Sequence, residues 1–312
     1  MTVRETTGKK ALRLFRMHGD LNPAQLAALL NAPTVLFMVL VLAYPLASSL
    51  WYAFHEVGAV QLRTGEMDFV GLRNFAYVLG HELFWQSLWQ SFQFVGITLI
   101  LQLVMGLGIA LLINDKTRSS AALQALVLLP WAVPPMVNGI LWGFLFNAKY
   151  GYVNVVLYKL GFIDEFVIWV QNPRLALYAV TFAFTWRTIP FAVIMLLAAL
   201  QSIPEDLYEV AAVDGANAWH RFQHITLPLI QPAILVVLIL RTMWTFMAFD
   251  EIFAITQGGP GYSTWVASWY TYATAFRYLK FGIGAASAYL LGAVIAILAL
   301  IYVKFLYVEI EY

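Results

Sequence analysis

Apolar residues fall along this chain in six long blocks separated by polar segments. A helix needs about 20 residues to cross a hydrocarbon core about 30 Å thick. The blocks at 32–54, 90–113, 122–146, 175–200, 233–255 and 282–304 all meet that length. The pattern predicts an all-α fold, an integral membrane bundle of six transmembrane helices over 32–304. Residues 1–31 read as a basic cytoplasmic segment and 305–312 as a short cytoplasmic tail. An even number of crossings returns the chain to its starting side. Loop 202–232 then lies on the same side as both ends.

Composition sharpens this. Of 312 residues, 62% are hydrophobic and 11% charged, against about 25% charged in soluble domains. A soluble protein is excluded. The net charge of +1, with its one basic run at the N-terminus, gives no sign of nucleic-acid binding. Cysteine is absent, so disulfide, thiolate and cysteine–zinc chemistry are excluded. Arg4, Lys9, Lys10, Arg13 and Arg16 precede the first block and predict a cytoplasmic N-terminus. Leu12 and Phe15, on a helical spacing, suit this head to lie on the membrane surface. The block that follows is long and has no small-residue cleavage pattern, unlike a signal peptide.

The loop at 202–232, SIPEDLYEVAAVDGANAWHRFQHITLPLIQP, is too long for a simple turn. Ser202 and Glu205 fit a capping box, and Pro204 falls in the first turn, where its missing N–H costs little. Glu205, Asp206 and Glu209 place negative charge near the positive end of the helix dipole. Gly215 suits a left-handed cap. A second helical piece, 216–225, should stop at Pro228. Ala211, Ala212, Gly215 and Ala216 make a small-residue face that can sit in a partner's groove. Trp219 and Phe222 should anchor the loop against the chain's own membrane part.

This loop resembles the EAA loop of ATP-binding-cassette (ABC) importer permeases. Glu209, Ala211, Ala212, Asp214, Gly215, Ala216, Ile225, Leu227 and Pro228 carry the resemblance. Asp before Gly, with ITLP after the spacer, is similar to the maltose-type sugar permeases. Val210 departs from the usual Ala and adds bulk to the docking face. The resemblance implies that the loop's first helix is a coupling helix seated in a cleft of a cytoplasmic ATPase. It also implies a complex of a second, related permease, two ATPase copies and an external solute-binding protein, in a bacterial inner membrane. ATP and Mg would be used by the ATPase, with no cofactor on this chain. Closure of the ATPases would rock the spans from inward-facing to outward-facing.

Other segments agree. Phe69 to Phe75, the Phe249-Asp250-Glu251-Ile252-Phe253 run with Gly258-Gly259-Pro260, and Leu129-Pro130-Trp131 with Pro134-Pro135 and Trp142 also resemble these permeases. The similarity covers about 33–302. The glycine turn lacks the Lys-Ser/Thr of a phosphate loop and cannot cradle ATP. Residues 263–281 are dense in aromatics and read as a belt at the outer interface, or less favourably as a sugar-stacking surface.

A substrate path needs polar or aromatic groups at mid-membrane depth, where burial is costly without use. Asn138, Thr188, Arg187, Arg241 and Thr245 are such polar positions, with Gln102 a weaker one; Asp250 lies nearer the outer end. Trp142, Trp186, Phe191 and Trp244 offer flat faces for a sugar ring. Asn138 with Trp142, and Arg241 with Thr245, share helix faces at a spacing of four. Pro134 and Pro190 free carbonyls that can line a cavity. The alternative for each polar group is a hydrogen bond between helices. No acid is expected at the depth of Arg187 and Arg241. They would therefore meet helix carbonyls, an acid on a partner permease, or an anionic substrate. The sequence thus predicts a non-enzymatic permease for a sugar or oligosaccharide, with a glycerol phosphate or other phosphate ester as the alternative. A secondary transporter would need mid-membrane coupling acids or histidines, and a membrane enzyme a catalytic constellation; neither is evident, and no catalytic or metal site is expected.

Overall fold

The computed structural model describes residues 22–114 and 118–306. The basic head at Arg4–Arg16 and the last residues of the tail lie outside them. Among the described residues the chain is helical, with one isolated bridge pair, His55 and Phe69. The spanning helices are α1 (Ala24–Ala53), α4 (Glu82–Ile113), α8 (Ala176–Gln201), α10 (Ala218–Phe246) and α13 (Phe281–Leu306). The bent pair α5 (Arg118–Ala132) and α6 (Pro135–Leu145) makes a sixth crossing if it is one broken span. Short helices lie between them: α2 (Ala59–Thr64), α3 (Arg73–Gly80), α7 (Tyr152–Lys159), α9 (Glu205–Val213), α11 (Asp250–Ile255) and α12 (Ala267–Tyr272). Five of the six apolar blocks correspond to single long helices and the third to the bent pair; two have unexpected shapes.

The third block is not one straight helix. It bends by 92° between α5 and α6. Pro135 disfavours the helical conformation at the residue before it, and Pro134 sits extended at φ −57°, ψ 141°. Pro135 then starts α6, where its missing N–H has no cost.

The fifth crossing is displaced from 233–255. Pro228 does not stop the helix. The turn Phe222–Thr226 widens so that the Leu227 N–H bonds back to the Phe222 carbonyl, five residues earlier. This wider turn takes up the ladder bond that Pro228 cannot make. The helix ends instead at Phe246; Phe249 leaves helical geometry at φ −138°, and α11 restarts at Asp250.

The centre of the bundle is α4 against α8. A Cβ on Gly106 would lie 3.0 Å from the Ala192 Cβ. Small residues here let two backbones approach closely, which is how helices gain packing energy where lipid removes the hydrophobic drive. Ala110, Val193 and Leu196 continue this buried seam. The second half of α1 packs on α13, where the Tyr289 hydroxyl donates to the Leu46 carbonyl at 2.8 Å. The first half, with Leu36, Phe37 and Leu40 more than half exposed, presents its apolar surface outward.

The aromatic segment is only partly a belt. Trp265, Trp269 and Tyr270 are buried in the core, while Phe276 and Tyr278 are exposed. The segment folds back on Phe249, whose ring stacks on Trp269 at 5.5 Å. Aromatic density alone does not say which rings face lipid.

Candidate functional site

A cleft of about 320 Å³ opens among α5, α8, α10 and the break before α11. Five predicted path residues line it: Arg187, Thr188, Arg241, Trp244 and Asp250. Trp131, Phe184 and Glu251 join them. The break after Phe246 ends α10 and folds α11 beside α6. Gly139 permits that approach, since a Cβ there would lie 2.5 Å from the Ala254 Cβ.

This fold-back corrects the expectation that no acid lies at the depth of Arg187. Arg187 Nε donates to Glu251 Oε1 at 2.7 Å. Glu251 is 2% exposed. Asn138 Nδ2 donates to the Ala183 carbonyl at 3.0 Å and approaches the same Glu251 oxygen at 3.4 Å. A straight helix over 233–255 would have carried Glu251 to the outer end.

Arg241 has a different set of partners. Its Nε donates to Gln102 Oε1 at 2.9 Å, and Gln102 Nε2 donates to Thr188 Oγ1 at 2.7 Å. Thr188 in turn donates to the Phe184 carbonyl at 2.7 Å. The guanidinium carbon lies 5.7, 5.8 and 5.6 Å from the ring centres of Phe184, Phe191 and Trp244. Such rings attract a cation through their negative faces. Both arginines donate from Nε to a side chain rather than to a helix backbone carbonyl, and Arg187 needs no acid from another chain. The lining charges, Arg187 and Arg241 against Asp250 and Glu251, cancel formally.

Five other predicted path residues do not line the cleft. Asn138 is sealed between helices at 0% exposure, and Thr245 is 2% exposed. Asn138 Oδ1, Thr245 Oγ1 and Arg241 Nη2 are buried without a hydrogen-bond partner among the described residues. Phe191 stands behind the wall, 5.0 Å from the Trp244 ring and 6.2 Å from Trp131. Trp142 and Trp186 meet each other edge to face at 5.7 Å, away from the cleft. Asn138 and Trp142 are four residues apart, yet one is sealed in polar contact and the other lines an apolar hollow. Gln102, ranked low from sequence, is the hinge of the Arg241 network.

The 202–232 loop forms a second site. α9 begins at Glu205, not at Ser202. Ser202 ends α8, with its hydroxyl donating to the Ala199 carbonyl at 2.7 Å, so the predicted capping box does not form. Pro204 takes an extended ψ of 133° at the N-cap and delays the helix. Gly215 does adopt the left-handed cap, at φ +84°, and the Ala216 N–H reaches the Ala211 carbonyl at 2.9 Å. Asn217, not Ala216, begins the second piece, accepting from the His220 N–H at 2.8 Å.

On α9 the outward surface is broader than the predicted small-residue face. Glu209, Ala212, Asp214 and Gly215 are exposed, and Ala211 and Ala216 half-buried. Leu207, Val210 and Val213, at spacings of three, are 43%, 61% and 88% exposed. Trp219 does not anchor the loop; it is 64% exposed and stacks on Phe222. The anchor is Tyr208, whose hydroxyl meets Thr226 Oγ1 at 2.9 Å. An isolated Tyr gives no such signal in sequence.

Residues 102–310 match the family described as binding-protein-dependent transport system inner membrane component. The chain belongs to that family. This permease is 36% identical, over 90% of its length and 93% of the relative's, to the trehalose/maltose transport system permease protein MalF of Thermococcus litoralis. It is 36% identical to the sulfoquinovosyl glycerol transport system permease protein SmoG of Agrobacterium fabrum, over 91% of each chain. Among solved structures it resembles a bacterial ABC transporter involved in import of the acidic polysaccharide alginate, with a TM-score of 0.77 at 24% identity, covering 93% of this chain and 97% of that one. A second alginate transporter structure, in complex with an alginate pentasaccharide-bound periplasmic protein, matches at TM-score 0.75 and 25% identity, covering 89% of this chain and 93% of that one. The permease is thus a multi-pass membrane subunit of an ABC import system.

Proposed function

We propose that this permease forms half of the path by which a sugar or oligosaccharide, delivered by an external solute-binding protein, crosses a bacterial cytoplasmic membrane. A second, related permease supplies the other half. Two cytoplasmic ATPases use ATP and Mg, and this chain binds neither. Both termini and the 202–232 loop face the cytoplasm. The observation that carries the reading is the similarity at 36% identity over nine-tenths of the chain to a trehalose/maltose permease. The cleft chemistry agrees: flat rings at Trp131 and Trp244, a guanidinium donor at Arg241, and lining charges that cancel.

Glu209, Ala211, Ala212, Asp214, Gly215 and Ala216 belong to the ATPase-docking helix and its cap. Leu207, Val210 and Val213 extend that contact. A push on α9 reaches α10 through Tyr208 and Thr226. α10 then runs without a break from Ala218 to Phe246, so the motion arrives at Arg241 and Trp244. Arg187, Thr188, Arg241, Trp244 and Asp250 face the sugar; Asn138 and Phe191 brace that wall. The pairing of Arg187 with Glu251, in a lining whose formal charges cancel, weighs against the phosphate-ester alternative.

The test is a tagged pull-down from native membranes of wild type and Gly215→Pro, with retained proteins identified by mass spectrometry. An ATPase and a second permease should accompany the wild type, and the ATPase should be lost from the variant. Failure to retain any ATPase in mild detergent overturns the reading.

A further inference from the structure

We propose that the open hollow lined by α6, α7 and the start of α8 binds one acyl chain of a phospholipid, whose anionic headgroup is held by Lys149 and Lys159. The hollow measures about 530 Å³ and is separate from the cleft. Trp142, Phe146, Val156, Trp169, Tyr178 and Phe182 wall it. The Trp169 indole N–H already donates to Asn154 Oδ1 at 2.8 Å. Asn154 is otherwise spent on Val167, donating to its carbonyl at 2.9 Å and accepting from its N–H at 3.1 Å.

Almost no polar atom faces this space, so neither water nor a sugar finds partners in it. A buried water needs about two to four hydrogen bonds. Left empty, the wall would forfeit its dispersion contacts on one side. A bilayer offers hydrocarbon chains at high concentration, and a chain fills an apolar space without losing a hydrogen bond.

Position distinguishes a lipid from a partner protein. Leu175 and Phe182 project about 120° or more around α8 from Phe184 and Thr188, taking about 100° per residue. The hollow and the cleft thus occupy opposite sides of one helix. This step rests on the proposed function, in which the second permease closes the cleft side. The hollow's side is left to the bilayer. It also lies at the start of α8, the membrane end away from the coupling loop that follows Gln201.

The helix that walls the hollow, α7, carries interfacial chemistry along its length. Lys149 precedes α7 and Lys159 ends it, and both are exposed. Tyr152 and Tyr158 are 67% and 54% exposed on the same helix. Tyrosine and lysine at the headgroup level are the residues that hold a phospholipid head. Asp164 and Glu165 lie further along the segment, and neither pairs with these lysines.

The test is native mass spectrometry with phospholipid quantification on the purified complex of permeases and ATPases in mild detergent. Wild type should retain one phospholipid per copy of this chain through repeated detergent exchange. Val156→Phe, which fills the hollow from α7, should lower retention at least five-fold. Ile297→Phe, on the outward face of α13, should leave it unchanged. Replacing both Lys149 and Lys159 with Gln should keep a lipid but abolish a preference for phosphatidylglycerol over phosphatidylethanolamine. Equal retention in Val156→Phe and wild type overturns the proposal. So does a disulfide cross-link from Tyr152→Cys to the second permease, which would make the hollow a protein interface. If Val156→Phe fails to assemble, quenching by phospholipids with brominated chains decides the matter in wild type and Trp169→Phe. A smaller quenched fraction in Trp169→Phe supports a chain in the hollow, and an unchanged fraction overturns it. Lipid retention is read without transport, so its failure is distinct from failure of the ATPase pull-down.

Discussion

Arg187 and Glu251 stand on different helices, 64 residues apart in sequence, and meet at 2.7 Å beneath the cleft. The contact joins α8 to α11, and Asn138 brings α6 to the same carboxylate. Two elements that restart at Pro135 and after Phe249 are thereby held against the unbroken α8 at one depth. Removing one partner of a buried pair costs about 3–5 kcal/mol, because the other charge is left behind. Glu251→Ala should therefore lower the melting temperature of the detergent-purified complex clearly. The double change Arg187→Met with Glu251→Leu should recover most of that loss. A double variant no more stable than the single one would show that the pair does not organise the cleft.

The same pair sets the cleft's charge. Glu251→Gln keeps the shape but frees the Arg187 cation. The expected outcome in proteoliposome binding assays is a gain in affinity for anionic sugars relative to neutral ones. Unchanged selectivity would place the pair outside the substrate's reach.

Tyr208 is the side-chain link from the docking helix to α10. A hydrogen bond of this kind contributes about 0.5–1.5 kcal/mol, too little to unfold the loop when lost. Tyr208→Phe should keep the ATPase bound while reducing transport per ATP hydrolysed. The check is the ratio of uptake to phosphate release in one preparation.

Val213, 88% exposed, should be replaceable without harm to the isolated chain, since exposed substitutions rarely exceed about 0.5 kcal/mol. Val213→Asp should nonetheless release the ATPase, as measured by pull-down, with the thermal stability of the permease unchanged.

Much of this architecture is legible in the sequence because membrane burial writes itself as length and hydropathy. Five of the six apolar blocks are long apolar helices and the third is the bent pair, and Gly215 takes the conformation its place in the loop requires. What was not legible lies where backbone bonding overrides hydropathy. Pro134 and Pro135 turn one apolar block through 92°, while Pro228 is absorbed by a widened turn and breaks nothing. A window average treats these prolines alike. The break at Met247 to Phe249 has no proline at all, and missing it hid Glu251 from the site. Trp142 and Trp186 look like sugar platforms by type and depth, but their rings meet each other away from the cleft. Trp219 was misplaced for a related reason: a large ring on a loop says nothing of which chain will cover it.

The most direct test of the account is ATP-dependent uptake by the reconstituted complex, with its binding protein, of radiolabelled neutral sugars and phosphate esters. A neutral sugar or oligosaccharide should be taken up, dependent on ATP, and that uptake should be lost in Gly215→Pro. Uptake of phosphate esters alone, or uptake that persists without ATP, would contradict it.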